Sequence, residues 1–178
     1  MTSLRTTRLV VGTLVVLAGA TVAGPARAID LSRLAGKAAG SAASGKVEKE
    51  VNSRLLAEGR KNQCNFKTDS DQLMAGCDAK LKKLANVLIE AKKQLNGAGV
   101  QNFKFEVSGH TDSSGRPDHN KELSGKRAAV IERELVARGI AKNEIMSIGL
   151  AAERPLVKPD NTPAKKARNR RYEIQVRF

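Results

Sequence analysis

The sequence predicts a small α/β domain in which helices cover one face of a mixed sheet of about four strands. Short segments that alternate apolar and polar residues are separated by longer segments with apolar residues at helical spacing. The last segment is the clearest strand, because Tyr172, Ile174, Val176 and Phe178 alternate with polar residues. Strands joined by helices favour a mixed sheet with the helices packed against it.

The elements follow one another in a regular order. The segments predicted as strands are 64–67, 103–108, 146–149 and 172–178. The segments predicted as helices are 77–95, 118–139 with Asp118 as its cap and Gly139 as its stop, and a short one opened by Thr162-Pro163. A turn-rich loop directly follows the second strand, so polar side chains there would lie at the end of the sheet.

The N-terminus has the layout of a secretory signal peptide. Arg5 and Arg8 precede an apolar run from Leu9 to Gly24, and Pro25-Ala26-Arg27-Ala28 places small residues where a signal peptidase cleaves. We therefore predict a signal peptide at 1–28 and an exported mature chain. The alternative is a retained membrane anchor, but the run falls short of the roughly 20 strongly apolar residues that span a bilayer.

The segment at 29–61 is rich in Ala, Gly, Ser and Lys, which predicts a flexible basic tether before a compact domain at 62–178. A short amphipathic helix from Val47 to Leu56 is the one helix expected within it. Loss of the signal peptide would lower the net charge from +14 to +11. This charge favours polyanions or anionic membranes. Nucleic acid is disfavoured by the export signal and by the few aromatic residues.

The chain has two cysteines, Cys64 and Cys77. An even count in an exported chain predicts one disulfide, which would join the first strand to the start of the first helix. Two thiols that are not a CxxC pair make a poor zinc site.

Asp112 and Arg127 are the leading candidates for ligand binding. Asp112 ends the stretch Gly109-His110-Thr111-Asp112, and Arg127 lies within the apolar arc of the predicted second helix. A carboxylate and a guanidinium can together hold a ligand that carries an ammonium and a carboxylate. Two structural alternatives stay open. Asp112 could bond its own loop backbone, and Arg127 could pair with a carboxylate, Asp112 itself included.

Metal binding and catalysis are not predicted. The spacing of His110, His119 and Asp112 is not that of a metal site on a helix. Ser113 or Ser114 could not readily form a catalytic relay with the adjacent His110, and the chain has no G-x-S-x-G elbow. We therefore expect a protein that is not an enzyme and that uses no cofactor.

The densest charge cluster is at 165–171. Its simplest interpretation is the solvated face of a short helix. Asn169 and Arg170 differ from the rest of the cluster, because they stand where that helix meets the last strand and can contact a neighbouring loop.

Three blocks in order resemble the OmpA-like peptidoglycan-binding domain, the type found in OmpA, Pal and MotB, over about 62 to 178. The blocks are Phe105–Asp112 with Gly115, Pro117 and Asn120, then Leu123–Ala128, then Asn169–Ile174. The resemblance implies a βαβαβ(α)β sandwich. It also implies non-covalent binding to the stem peptide of peptidoglycan through its meso-diaminopimelate.

The resemblance assigns roles to six residues. It implies that Asp112 meets the ammonium of diaminopimelate and that Arg127 meets its carboxylate. Asn120 would brace the loop or touch the peptide, and Leu123 would also contact it. The residues implied at the rim are Thr111 and Arg170.

The sequence departs from the family pattern in three places. The family's G-x-G-E region lacks its second glycine in Gly149-Leu150-Ala151-Ala152-Glu153, and His119 replaces a bulkier aromatic residue. The cysteine pair is not a general family feature. These departures affect the rim of the site more than its centre.

The expected function is a non-catalytic periplasmic protein that binds peptidoglycan and links or scaffolds the envelope of a Gram-negative bacterium, at or near the outer membrane. Outer-membrane or envelope proteins and anionic lipid are left open as further partners. The alternative is a membrane-anchored component of a secretion or motor assembly that retains 9–24. An enzyme that modifies the cell wall is disfavoured, because the sequence has no recognisable group of catalytic residues.

Overall fold

The computed structural model describes residues 31–178, with side chains from Gly45 onward. The predicted signal peptide and the alternative of a retained anchor at 9–24 both lie outside these residues. The helices are α1 (Leu31–Lys61), α2 (Cys77–Gly97), α3 (Pro117–Val136) and α4 (Pro163–Asn169). The strands are β1 (Lys104–His110), β2 (Ile145–Gly149) and β3 (Arg171–Arg177). Across the described residues, no helix has both the length and the apolar character needed to cross a bilayer.

The sheet is mixed, which confirms the predicted fold class. Its order is β2-β1-β3, with β2 parallel and β3 antiparallel to the central β1. The core contains the inward side chains of β1 and β3 and one face of α2, including Phe105, Ile174, Leu81 and Leu88. Burying each such side chain contributes about 1.5–3 kcal/mol.

The fourth strand predicted at 64–67 is wrong. The described residues form a sheet of three strands, and Phe66 makes only an isolated bridge to Leu73. The backbone of this segment bonds within its own loop, where Lys67 N–H donates to Gln72 O at 2.9 Å and Met74 N–H donates to Asn65 O at 2.9 Å.

The prediction of a flexible tether at 29–61 is corrected by the structure, because the described part of this segment forms helix α1. Val51 and Leu55 are only 2% and 3% exposed and belong to the core, and Val47 packs against it. These residues recur every fourth position, so they form one apolar stripe on a helix that is otherwise polar. The compact fold therefore begins before residue 62.

Two side-chain amides from the α1 region cover the outer edge of β3. The Asn52 amide donates to Val176 O at 3.2 Å and accepts from Val176 N at 2.6 Å. The Gln63 amide bonds both backbone groups of Tyr172 in the same way, at 2.8 and 3.2 Å. Since an open strand edge invites pairing with another chain, these contacts protect β3 from association.

The boundaries of α3 differ from the prediction. Arg116 occupies the cap position, Pro117 begins the helix, and Asp118 lies in the first turn instead of capping it. The helix ends at Val136, and the chain then turns through Gly139 at φ 101°. Proline tolerates the first helical position because it has no N–H to satisfy there. At α4 the predicted start is confirmed, with the Thr162 side chain accepting from Lys165 N.

Two glycines allow α3 to approach the sheet closely. Gly109 and Gly149 face each other in the β1–β2 register. A Cβ on Gly109 would overlap Ser124 O, and one on Gly149 would lie 2.5 Å from Gly125 N. The absence of side chains at these positions places the first turns of α3 against the ends of β1 and β2.

We expect Ala151→Gly to raise the free energy of unfolding by about 0.5–1 kcal/mol. Ala151 has φ 44°, a conformation that a Cβ disfavours, and it holds this position by accepting from Thr111 N and donating to Ser124 Oγ. Urea unfolding of the variant measures the change. Ala152→Gly is the control and should be destabilising, because Ala152 is not among the positive-φ residues. A loss of stability in Ala151→Gly would contradict this account.

Candidate functional site

A cavity of about 740 Å³ lies at the end of β1, between the loop after Cys64, the first turns of α3 and the end of α4. The structure brings all six residues predicted as a binding site into its lining. They are Thr111, Asp112, Asn120, Leu123, Arg127 and Arg170. They converge because central β1 ends at His110, so the following residues leave the sheet where α3 and α4 meet it.

Asp112 is a buried carboxylate with two defined partners. One oxygen accepts from Ser114 N at 2.9 Å, and the other accepts from Arg170 Nη1 at 2.7 Å. Burial acts to raise the pKa of Asp112, but the hydrogen bonds from Arg170 and Ser114 outweigh it and hold the pKa below its usual value. The carboxylate is therefore ionised at neutral pH. Each oxygen retains a lone pair that can accept from a ligand.

Arg127 is held by backbone carbonyls. Its Nε donates to Ser70 O at 2.9 Å and its Nη2 donates to Lys67 O at 3.3 Å, while the guanidinium lies 5.2 Å from the centre of the Phe66 ring. Burial and the nearby charge of Arg170 lower the pKa of Arg127, but an arginine stays charged. Within residues 45–178 it forms no ion pair with an acidic side chain, so its charge remains available to an anionic ligand.

Asn120 braces the loop at 111–116. Its amide donates to Ser114 O at 2.6 Å, which fixes the turn that follows Asp112. Leu123, one turn further along α3, adds an apolar wall to the cavity.

Of the two residues implied at the rim, Thr111 is buried, whereas the side chain of Arg170 is 46% exposed. Thr111 is 5% exposed, because its N–H is bonded to Ala151 O directly after β1. Its Oγ1 has no hydrogen-bond partner among the described residues. Arg170 reaches Asp112 because α4 ends immediately before β3, which runs beside β1 and places Arg171 opposite His110.

The two histidines do not form a metal site with Asp112. His110 is buried, and both burial and the charge of Arg171 lower its pKa to about 4, so its ring is neutral. His119 is exposed and bonds Asp69 at 2.6 Å. Among the residues with described side chains, no group of three or more His, Cys, Asp or Glu could hold a metal ion.

A second set of contacts, which the sequence did not predict, anchors the loop at 111–116. Asp160 accepts from Ser113 N at 2.9 Å and from the Ser113 hydroxyl, and it also accepts from the Asn169 amide at 3.0 Å. The hydrogen bonds from Ser113 and Asn169 lower the pKa of Asp160 to about 2. Asn169 does contact a neighbouring loop, as its position predicted, since it bonds the backbone of Leu156 and Val157.

The structure holds Cys64 and Cys77 as buried free thiols. Cys64 Sγ lies 3.8 Å from Cys77 O, and burial raises the pKa of the Cys64 thiol to about 12. The two cysteines flank the loop that supplies Phe66, Lys67 and Ser70 to Arg127. The disulfide between them stays a prediction for the oxidised protein.

Oxidation to a Cys64–Cys77 disulfide should stabilise the fold by about 3 kcal/mol, because it closes a short loop and restricts the unfolded chain. The intact mass of protein isolated from an oxidising compartment should be lower by two hydrogen atoms than that of the reduced protein. Thermal unfolding with and without reductant measures the stabilisation, with the Cys64→Ser/Cys77→Ser variant as the control that should not respond. Protein from an oxidising compartment that retains two free thiols would contradict the prediction.

Two curated proteins are similar in sequence to parts of this chain. The peptidoglycan-binding protein ArfA of Mycobacterium tuberculosis is 40% identical over 73 residues, which cover 41% of this chain and 22% of ArfA. The peptidoglycan-associated lipoprotein of Rhizobium meliloti is 30% identical over 96 residues, which cover 54% of this chain and 49% of the lipoprotein. The chain thus spans less than half the length of these relatives.

Solved structures show the same fold. The peptidoglycan-associated lipoprotein from Burkholderia pseudomallei aligns with TM-score 0.53 at 23% identity, over 65% of this chain and 89% of that one. The C-terminal domain of Helicobacter pylori MotB aligns with TM-score 0.54 at 19% identity, over 65% of this chain and 84% of the MotB domain. Residues 65–170 match the model of the OmpA family, and this match covers more than half of the sequence. The chain therefore belongs to the OmpA family.

Proposed function

We propose that this protein is a non-catalytic periplasmic protein that binds peptidoglycan by gripping meso-diaminopimelate of the stem peptide, and so links or scaffolds the envelope of a Gram-negative bacterium. The observation that carries the proposal is the placement of the Asp112 carboxylate and the Arg127 guanidinium on the lining of one cavity. The names of similar proteins support it, since ArfA is described as peptidoglycan-binding and the lipoprotein as peptidoglycan-associated.

The chemistry of the cavity matches a zwitterionic amino-acid head. Asp112 accepts hydrogen bonds from the ligand ammonium through its free lone pairs, and Arg127 donates to the ligand carboxylate. Arg127 is well prepared for this role, because the carbonyls of Lys67 and Ser70 fix its orientation without neutralising its charge. Partial burial of both groups strengthens their interaction with the ligand relative to water.

Arg170 and Thr111 complete the proposed site. Arg170 balances the charge of Asp112 before the ligand binds. Because its side chain is 46% exposed, Arg170 can move when the ligand ammonium also bonds the Asp112 carboxylate. The unpartnered Thr111 hydroxyl supplies one more polar contact at the floor. Envelope proteins and anionic lipid remain proposed further partners of the basic chain.

The proposed function is tested by co-sedimentation of the purified protein with diaminopimelate-type sacculi at moderate salt. The protein should pellet with the sacculi, and Arg127→Ala should largely stay in solution. Arg133→Ala is the matched control, because it removes the same charge from an exposed position on the same helix. Equal pelleting of the wild-type protein and both variants would mean that net charge alone drives the association, since exposed charges act at long range and are screened by salt. Failure of the wild-type protein to pellet would contradict the function itself.

A further inference from the structure

A second cavity, of about 560 Å³, adjoins the first. The two cavities share four lining residues, which are Asn65, Ala167, Arg170 and Arg171. The second is enclosed by the last turns of α1, the end of α4, the start of β3 and the loop at Leu156. Its walls from α1 and β3 lie outside the part of the chain that matches the family model, which ends at residue 170.

The lining of this second cavity carries excess positive charge. Arg60 from α1 and Arg168 from α4 are exposed, and neither forms an ion pair with any residue whose side chain is described. Arg171 is already neutralised by Glu173, the one acidic residue of the lining, at 2.8 Å. Two uncompensated guanidinium groups from different helices therefore meet at one cavity. Guanidinium groups bind oxyanions with paired hydrogen bonds.

The same cavity also has apolar walls, so its ligand is not a bare ion. Leu56 and Leu156 line it, and Leu156 is 40% exposed to solvent. The Gln63 amide faces the cavity but is occupied by the backbone of Tyr172. This combination fits an organic anion whose carboxylate lies beside short aliphatic groups.

We propose that the second cavity binds a further carboxylate of the same stem peptide, held between Arg60 and Arg168. This inference rests on the proposed function. Arg170 lines both cavities and bonds Asp112 in the first, so a peptide held at Asp112 has a continuous path into the second. A stem peptide carries carboxylates outside its diaminopimelate head, on a backbone with methyl and methylene groups.

The test is a calorimetric titration with two soluble stem tetrapeptides that both contain intact meso-diaminopimelate. One has its remaining carboxylates free, and in the other they are amidated. Wild-type protein should bind the free form about tenfold more tightly, because the amide loses charge-assisted hydrogen bonds. Arg60→Gln/Arg168→Gln should bind both forms equally, at the affinity of the wild-type protein for the amidated form. The matched control is Arg54→Gln/Arg133→Gln, which removes two exposed arginines elsewhere and should keep the preference.

The outcomes separate this inference from the function on which it depends. If the wild-type protein binds both tetrapeptides equally and Asp112→Asn abolishes that binding, the first cavity binds diaminopimelate and the second is not a carboxylate site. If Arg60→Gln/Arg168→Gln still binds the free tetrapeptide more tightly than the amidated one, the second cavity is likewise excluded as the carboxylate site. If the double variant instead loses only its binding to phosphatidylglycerol vesicles, the two arginines serve a lipid phosphate. If the wild-type protein binds neither tetrapeptide, the proposed function fails together with this inference.

Discussion

Asp112→Asn should weaken binding to a diaminopimelate-containing stem peptide by about 100-fold, which corresponds to a charge-assisted interaction of about 3 kcal/mol. The substitution keeps the shape of the side chain and can retain the bond from Ser114 N. It removes the charge that the ligand ammonium requires, and it leaves the guanidinium of Arg170 without its partner in the cavity. Titration calorimetry with the soluble peptide measures the loss.

The sign of the charge change makes this variant informative on sacculi. Loss of a carboxylate makes a basic protein more basic, so Asp112→Asn would pellet at least as well as wild type if net charge drove binding. We expect the opposite, a variant that stays in solution. Glu50→Gln removes one exposed acid from α1 and should pellet like the wild-type protein. If Asp112→Asn bound the peptide with the affinity of the wild-type protein, Asp112 would not be part of the binding site.

Gly109→Ala should lower the free energy of unfolding by about 3 kcal/mol or more, because a close-packed position cannot accept an added methyl group. The new Cβ would overlap Ser124 O, a backbone atom of α3 that no rotamer change can move. Relief of this overlap requires displacement of the helix. Since α3 carries Asn120 and Arg127, the folded fraction should also bind the stem peptide more weakly.

Urea unfolding monitored by circular dichroism tests this prediction. Gly97→Ala is the control, because Gly97 is an exposed residue of α2 with open space around its Cα. That change should be neutral or slightly stabilising, since alanine favours a helix over glycine. A stability of Gly109→Ala within about 0.5 kcal/mol of wild type would show that α3 adjusts freely, and the tight packing argued for Gly109 would then be wrong.

The fold was predictable where periodicity alone determines the structure. Alternation at 172–178 and helical spacing at 77–95 correspond to β3 and α2. The prediction was wrong where tertiary contacts determine whether a segment is ordered. The helix α1 has a composition typical of a tether, but its stripe of Val47, Val51 and Leu55 packs on β3, and such packing rather than intrinsic propensity stabilises most helices.

The candidate site was predictable for its charged side chains and less so for their partners. Asp112, Asn120 and Arg127 belong to a recognisable motif, and the structure places them on one cavity. The carbonyls that hold Arg127 have no signature in the sequence, because every residue offers a carbonyl. The pairing of Arg170 with Asp112 joins residues 58 positions apart, which only the folded chain reveals.

The most direct test of the central claim compares two stem tripeptides by titration calorimetry, one with meso-diaminopimelate and one with L-lysine in its place. Lysine keeps the side-chain ammonium but lacks the carboxylate that we assign to Arg127. The wild-type protein should bind the diaminopimelate peptide at least about tenfold more tightly, and Arg127→Ala should abolish the difference. Equal binding of both peptides by the wild-type protein would contradict the assignment of Asp112 and Arg127 as a site for the zwitterionic head.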